Sequence, residues 1–175
     1  MGKNILILAG SPRPGANSLI MAEAFAKAAQ KNGHAATLVK TAQLRVGGCR
    51  ACEKCWTGGK PCIQQDDMQE VYLLLEEAEM IVLASPIYYH SFSGQLQCAI
   101  NRIYALDKPK KLRNAALILS SGSDLVYSGA IFEYQNSFLQ YLHLEDCGMF
   151  AAHGEENQSP ELLERLRTAG RNLKD

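Results

Sequence analysis

Ile5-Leu6-Ile7-Leu8-Ala9 runs directly into Gly10-Ser11-Pro12-Arg13-Pro14-Gly15-Ala16-Asn17-Ser18, and the reading of this junction decides the fold. A short continuous apolar run bounded by turn residues is what a strand buried on both faces requires. The polar loop leads into an Ala-rich segment with Met21, Ala24, Phe25 and Ala28 at helical spacing, ended by Gly33. Strand, tight loop and helix start in this order bring free backbone N–H groups and the positive end of the helix dipole to one point, where an anion can be held. Arg13 adds a fixed positive charge; Ser11, Asn17 and Ser18 add neutral donors. Ala16-Asn17 stand where a P-loop carries Lys and Ser/Thr, so no side chain reaches a β/γ-phosphate or a magnesium ion. Gly10 and Gly15 do not make the three-glycine dinucleotide fingerprint. A single phosphate monoester on a smaller cofactor fits the loop. The plain alternative is an ordinary strand-to-helix turn with a Ser or Asn cap.

Outward from this junction, strands and helices alternate. Ala36 to Val39 reads as a second strand and Met80 to Ala84 as a third. Ala115 to Leu119 reads as a fourth and Met149 to Ala152 as a weak fifth. Between them, Asp67-Met68-Gln69-Glu70 resembles a capping box before Val71, Leu74, Leu75 and Ala78. Ser93 to Ala105 carries Leu96, Ala99, Ile100 and Ile103 on one face. Gly129 to Leu144 is an aromatic-rich helix whose Phe132, Tyr134, Phe138 and Tyr141 fit two faces, one for the sheet and one for a second subunit. Ser159-Pro160-Glu161 opens a last helix that buries Leu162, Leu163, Leu166 and Ala169. Five strands alternating with five helices predict an α/β fold: one doubly wound parallel sheet, helices on both faces, one domain over residues 1–175.

The charge balance, 18 Lys plus Arg against 18 Asp plus Glu, gives no footing for a nucleic-acid partner. The apolar runs are too short for a membrane span or a signal peptide, so a cytoplasmic location is expected. In that compartment the six cysteines are not expected to be structural disulfides.

Doubly wound sheets bind ligands beyond the carboxyl ends of their strands. Three loops fall there: Ser11 to Ser18, Ser85 to Ser93 and Ser120 to Asp124. The second, Ser85-Pro86-Ile87-Tyr88-Tyr89-His90-Ser91-Phe92-Ser93, offers aromatic faces to a planar heterocycle. Tyr88 and Tyr89 could equally cover the edge of the core. The third, Ser120-Ser121-Gly122-Ser123, offers backbone N–H groups to a ring edge that gains negative charge on reduction. A phosphate loop, an aromatic loop and an amide-rich loop together describe an FMN site.

On Gly10-Ser11-Pro12-Arg13 with Asn17-Ser18, Ser85-Pro86-Ile87-Tyr88-Tyr89, Gly94-Gln95-Leu96 and a cysteine loop ending in Asp66-Asp67-Met68, the chain resembles the NAD(P)H-dependent FMN reductases and the related iron–sulfur flavoproteins. The resemblance covers about the first 125 residues. It implies a flavodoxin-like five-stranded parallel sheet of order 2-1-3-4-5 in an α/β/α sandwich. It implies the FMN phosphate on Ser11, Arg13, Asn17 and Ser18, ring contacts from Pro86, Ile87, Tyr88 and Tyr89, and Ser121 and Gly122 at the far edge. It further implies a dimer or tetramer and electron flow from NAD(P)H to a small acceptor such as a quinone or free flavin. His90 stands where many relatives carry Gly. No catalytic acid or base is assigned. A non-enzymatic flavodoxin-type carrier is the competing class; such carriers are usually strongly acidic, and this chain is neutral.

Cys49-x2-Cys52-x2-Cys55-x6-Cys62 places four thiols within 14 residues, beside Gly47-Gly48 and Gly58-Gly59. Cysteines at this spacing suit an iron–sulfur cluster or zinc. A [4Fe–4S] cluster fed by ferredoxin, a metal-free thiol loop and a zinc site remain open. The iron–sulfur flavoproteins normally have one residue fewer before the last cysteine. Cys98 and Cys147 are assigned to the core, and His34, His143 and His153 to the surface or helix ends.

Overall fold

The structure, a computed structural model, describes residues 2–58 and 61–173. Its strands are β1 (Asn4–Ala9), β2 (Ala35–Lys40), β3 (Met80–Tyr88), β4 (Ser91–Phe92), β5 (Asn114–Ser121) and β6 (Glu145–His153). Its main helices are α1 (Asn17–Lys31), α2 (Met68–Glu77), α3 (Gly94–Ile103), α4 (Ser128–Glu133) and α5 (Pro160–Arg171).

Five strands form a parallel sheet in the order β2-β1-β3-β5-β6, the flavodoxin-like arrangement. The sheet has a sixth strand that the sequence reading missed. β3 does not stop at Ala84 but continues to Tyr88, and β4 folds back on it antiparallel, Ile87 opposite Phe92 and Tyr88 opposite Ser91. The two-residue turn between them, Tyr89-His90, lacks the Asn-Gly or Asp-Gly signal of such a hairpin. Its backbone is nevertheless that of one, with φ of 49° and 65°.

The alternation of side chains along the strands divides the core in two. Leu6, Leu8, Ile81, Leu83 and Leu117 pack on the face covered by α2, α3 and the aromatic helix. Ile5, Ile7, Val82, Ala84 and Ile118 pack on the other, under α1 and α5. Both faces are buried, which is why the central strands read as unbroken apolar runs. The aromatic helix begins as α4 and widens into π-type winding over Tyr134–Tyr141, marked by the Leu142 N–H to Ser137 carbonyl bond of 3.1 Å. That winding buries Tyr134 and Phe138, stacked at 6.3 Å between centroids, and leaves Tyr141 exposed, as Phe132 is on α4. Among the described residues no helix is long and apolar enough to cross a membrane.

His34 departs from the surface assignment: it is buried, and its Nδ1 accepts the Lys3 N–H at 3.0 Å. Cys147 lies on β6, partly buried against the core.

Candidate functional site

The loop from Gly10 to Ser18 is fixed where it leaves the sheet. Gly10 donates its N–H to the Ala84 carbonyl at 2.8 Å, and its own carbonyl accepts the Ser93 hydroxyl at 2.6 Å. A Cβ on Gly10 would fall 2.5 Å from Ser93 Oγ and 2.7 Å from Leu96 Cβ, so this close approach needs glycine. Ser93 in turn donates its N–H to Ser85 Oγ at 2.9 Å. One serine, which also caps α3, thus ties the end of β1, β3 and α3 together.

Beyond Gly10 the loop opens to solvent. Ser11 Oγ accepts the Arg13 N–H at 3.3 Å, while the exposed Arg13 guanidinium makes no bond to the described chain. The Ser or Asn cap of the plain alternative is absent: the α1 cap position is Ala16, which has no side-chain acceptor. The first-turn N–H groups therefore have no capping side chain. Ser18, in that turn, is buried with an unpartnered hydroxyl. An uncapped helix N-terminus, an orphaned buried hydroxyl and a free guanidinium fit a phosphate.

The second loop is the β3–β4 hairpin. Pro86, Ile87 and Tyr88 border the cleft, whereas Tyr89 at the turn is fully exposed and does not. The hairpin is docked on α4 through the His90 carbonyl, which accepts the Ala130 N–H at 2.9 Å. Gly129 permits this, since a Cβ there would lie 2.6 Å from that carbonyl oxygen. His90 Nδ1 also lies 3.3 Å from Ser128 Oγ.

The third loop contributes Ser121 and Gly122. The Ser121 hydroxyl is engaged inside the loop: it donates to the Ser123 carbonyl and so accepts from Tyr127 Oη, at 2.9 Å. What the loop presents to a ligand is backbone rather than that hydroxyl. Ser11, Arg13, Asn17, Pro86, Ile87, Tyr88, Ser121 and Gly122 line one cleft of about 460 Å³ at the carboxyl ends of β1, β3 and β5. Gly154 and Asn157 also line it. They belong to the connection after β6, whose polar residues carry no local signal that distinguishes wall from surface.

The cysteine loop is built on a buried charge. Arg102, 1% exposed, reaches from α3 to Asp66 and donates from Nη1 to the Gly47 carbonyl at 3.1 Å. Its Nε donates to Tyr72 Oη at 3.3 Å. Burial would raise the Asp66 carboxyl, but the Arg102 bonds and charge hold it below its ordinary value. Burial pushes the Tyr72 hydroxyl up to about 12. For Cys62 burial also acts upward; the Gln64 N–H, the Arg102 charge and the Tyr72 hydroxyl outweigh it and bring the thiol below its usual value. The cap position of α2 is Asp67, but the side chain that accepts the Met68 N–H, at 3.2 Å, is that of Asp66, while Asp67 accepts the Arg45 N–H at 2.7 Å.

Cys49, Cys52, Cys55 and Cys62 line one cavity of about 540 Å³ with Trp56, Tyr104 and Arg102. All four are free thiols. Among the described residues, which exclude Gly59 and Lys60, no three Cys, His, Asp or Glu side chains converge to hold a metal ion.

A sequence profile of the NADPH-dependent FMN reductases matches residues 3–170. An iron–sulfur flavoprotein of Archaeoglobus fulgidus is 32% identical over 120 residues, 69% of this chain and 52% of that one. Another from Methanosarcina thermophila is 29% identical over 136 residues, 78% of this chain and 69% of that one. The chain thus spans about half the length of the first of these relatives. An NAD(P)H:quinone oxidoreductase from Methanothermobacter marburgensis superposes with a TM-score of 0.76 at 16% identity, over 99% of this chain and 100% of that one. An FMN-dependent NADH-azoreductase from Bacillus anthracis, in complex with FMN, superposes with a TM-score of 0.64 at 16% identity, over 98% and 96%. At these identities the superpositions show a shared fold.

Proposed function

The chain belongs to the NADPH-dependent FMN reductase family, and from that premise we propose that it is an FMN-dependent oxidoreductase carrying electrons from NAD(P)H to a small acceptor such as a quinone or free flavin. The observation that carries this reading is the single cleft into which three separate loops converge, with an uncapped helix N-terminus at one end. Arg13, Ser18 and the first-turn N–H groups of α1 would hold the phosphate, and Ser11 orders the loop by accepting the Arg13 N–H. Asn17 keeps its side-chain NH2 for the same end of the ligand, its Oδ1 being engaged by Gln158. Pro86, Ile87 and Tyr88 would bound the ring, and the Gly122 backbone would face its edge. When bound, FMN supplies the two-electron chemistry, while the protein contributes position and electrostatics. Tyr89, exposed at the hairpin tip, is available to an acceptor or to a second copy of the chain. The test is to titrate the purified chain with FMN and follow NADH or NADPH oxidation with a quinone. Tight FMN binding with turnover supports the reading. FMN binding without turnover on either nucleotide supports a ferredoxin-fed enzyme or a carrier instead.

A second reading adds a [4Fe–4S] cluster on Cys49, Cys52, Cys55 and Cys62. It is favoured by the common cavity of the four thiols, by the Ala51 N–H donated to Cys49 Sγ at 3.4 Å, and by the left-handed Ala51 and Glu53 that flank Cys52. Alternating backbone hands of this kind turn N–H groups inward, as in many iron–sulfur sites. The absence of a converged set among the described residues weighs against it. The cavity would hold the cluster, and ferredoxin would then be the donor.

A further inference from the structure

We propose that Asn157 and Gln158 are positioning residues that set the spacing between the phosphate end and the ring end of the flavin cleft; the proposal rests on reading that cleft as a flavin site. The two residues lie in the tight turn Gly154–Gln158, between β6 and the Ser159 cap of α5. In a turn of about three residues per revolution, neighbouring side chains diverge by about 120°. Asn157 and Gln158 therefore reach in different directions. Asn157 Nδ2 donates to the Ser121 carbonyl at 2.9 Å, on the loop assigned to the ring edge. Gln158 Nε2 donates to Asn17 Oδ1 at 2.7 Å, on the first residue of the phosphate-binding helix. One short strap is thus bonded to both ends of the cleft.

The bonds of Asn157 show how the strap is held to the ring-edge loop. Its side chain is 1% exposed, and its NH2 is shared between the carbonyls of Ser121 and Gly154, the latter at 2.8 Å. Only the NH2 end can face two carbonyl oxygens, which fixes the amide orientation. The other end, Oδ1, is left buried without a partner. Both bonds of the amide thus come from its donor end, and a buried unpartnered acceptor costs free energy on the other. What the amide does provide is a fixed distance from the strap to Ser121, and through Ser121 a fixed backbone at Gly122. The strap is itself held by the His153 Nδ1 to Glu156 Oε2 contact of 3.1 Å.

The experiment uses FMN and riboflavin, which differ only by the phosphate, titrated by flavin fluorescence into the flavin-free chain. Amide exchange at Gly122 is measured on the same flavin-free proteins. Asn157→Ala is expected to weaken both flavins alike, by about five- to tenfold, as for one lost hydrogen bond. It should also change the visible absorption of bound FMN and speed exchange at Gly122. Asn157→Asp, of the same size but without the donor, should match Asn157→Ala with riboflavin. Gln158→Ala is expected to weaken FMN and leave riboflavin binding and Gly122 exchange unchanged. The proposal is overturned if Asn157→Asp behaves like the parent protein, or if both alanine variants weaken the two flavins equally. Parent protein that binds FMN beside variants that bind it identically overturns the strap alone. Parent protein that binds neither flavin overturns the strap together with the flavin reading.

Discussion

The Arg102 guanidinium and the Asp66 carboxylate form a two-pronged ion pair, Nη1 to Oδ2 at 2.7 Å and Nη2 to Oδ1 at 3.1 Å, across 36 residues of chain. It closes the base of the cysteine loop against α3 and leaves the guanidinium almost wholly removed from water. Removing one partner of such a pair strands the other, which costs more than the pair itself contributes. Asp66→Ala is therefore expected to destabilise the fold by about 3–5 kcal/mol in denaturant unfolding. Because the Asp66 pKa is depressed in the folded state, its contribution is complete above the unfolded-state value of about 4 and is lost as pH falls through the folded-state value. The stability gap between the parent protein and Asp66→Asn should narrow progressively below about pH 4. A gap that stays constant with pH would show that the carboxylate charge is not what holds the loop.

Arg13→Ala should weaken FMN by about 1.5–3 kcal/mol, the range of a charge-assisted hydrogen bond. Riboflavin, lacking the phosphate, should bind the variant as it binds the parent. Fluorescence titration reads both constants, and unchanged FMN affinity refutes the phosphate assignment.

Tyr88 and Tyr89 are neighbours with opposite surroundings, one bordering the cleft and the other fully exposed on a left-handed backbone. Tyr88→Ala should alter the visible spectrum of bound FMN. Tyr89→Asn should leave that spectrum unchanged and raise stability by about 0.5–1 kcal/mol, since asparagine tolerates the turn geometry better. A spectral response at Tyr89 alone would reverse the two assignments.

Gly129→Ala places a Cβ 2.6 Å from the His90 carbonyl oxygen, a backbone atom with little freedom to retreat. The variant is expected to lose about 1–3 kcal/mol in thermal or denaturant unfolding. It should also loosen the hairpin, seen as faster amide exchange at Ala130, whose N–H bonds that carbonyl.

Protein purified without oxygen should carry iron and sulfide at about four each per chain if the thiol loop holds a cluster. Cys→Ser at any of Cys49, Cys52, Cys55 or Cys62 should then remove the iron and spare the flavin. Flavin without iron after anaerobic reconstitution leaves a simple FMN reductase, and zinc in place of iron makes the loop structural.

The five parallel strands and the positions of the three loops at their carboxyl ends were legible in the sequence because each rests on short-range pattern. Ile5 to Ala9 must be doubly buried, and Gly10 to Ser18 can only be a turn into a helix. The inward faces of α3 and α5 likewise follow from spacing. The hairpin was not legible, because Tyr89-His90 adopts a turn that local preference disfavours and only docking on α4 sustains. His34 carries no local sign of burial; contact with Lys3, 31 residues away, decides it. The Arg102–Asp66 pair and the Asn157–Gln158 strap were hidden for the same reason: each joins residues far apart in the chain whose types are ordinary for a surface. Periodicity and turn chemistry act within a few residues, so the sheet, its helices and the loops at its carboxyl edge can be read from local pattern. Which polar side chains are bonded, buried or left free depends on distances between distant segments, which exist only once the chain is folded.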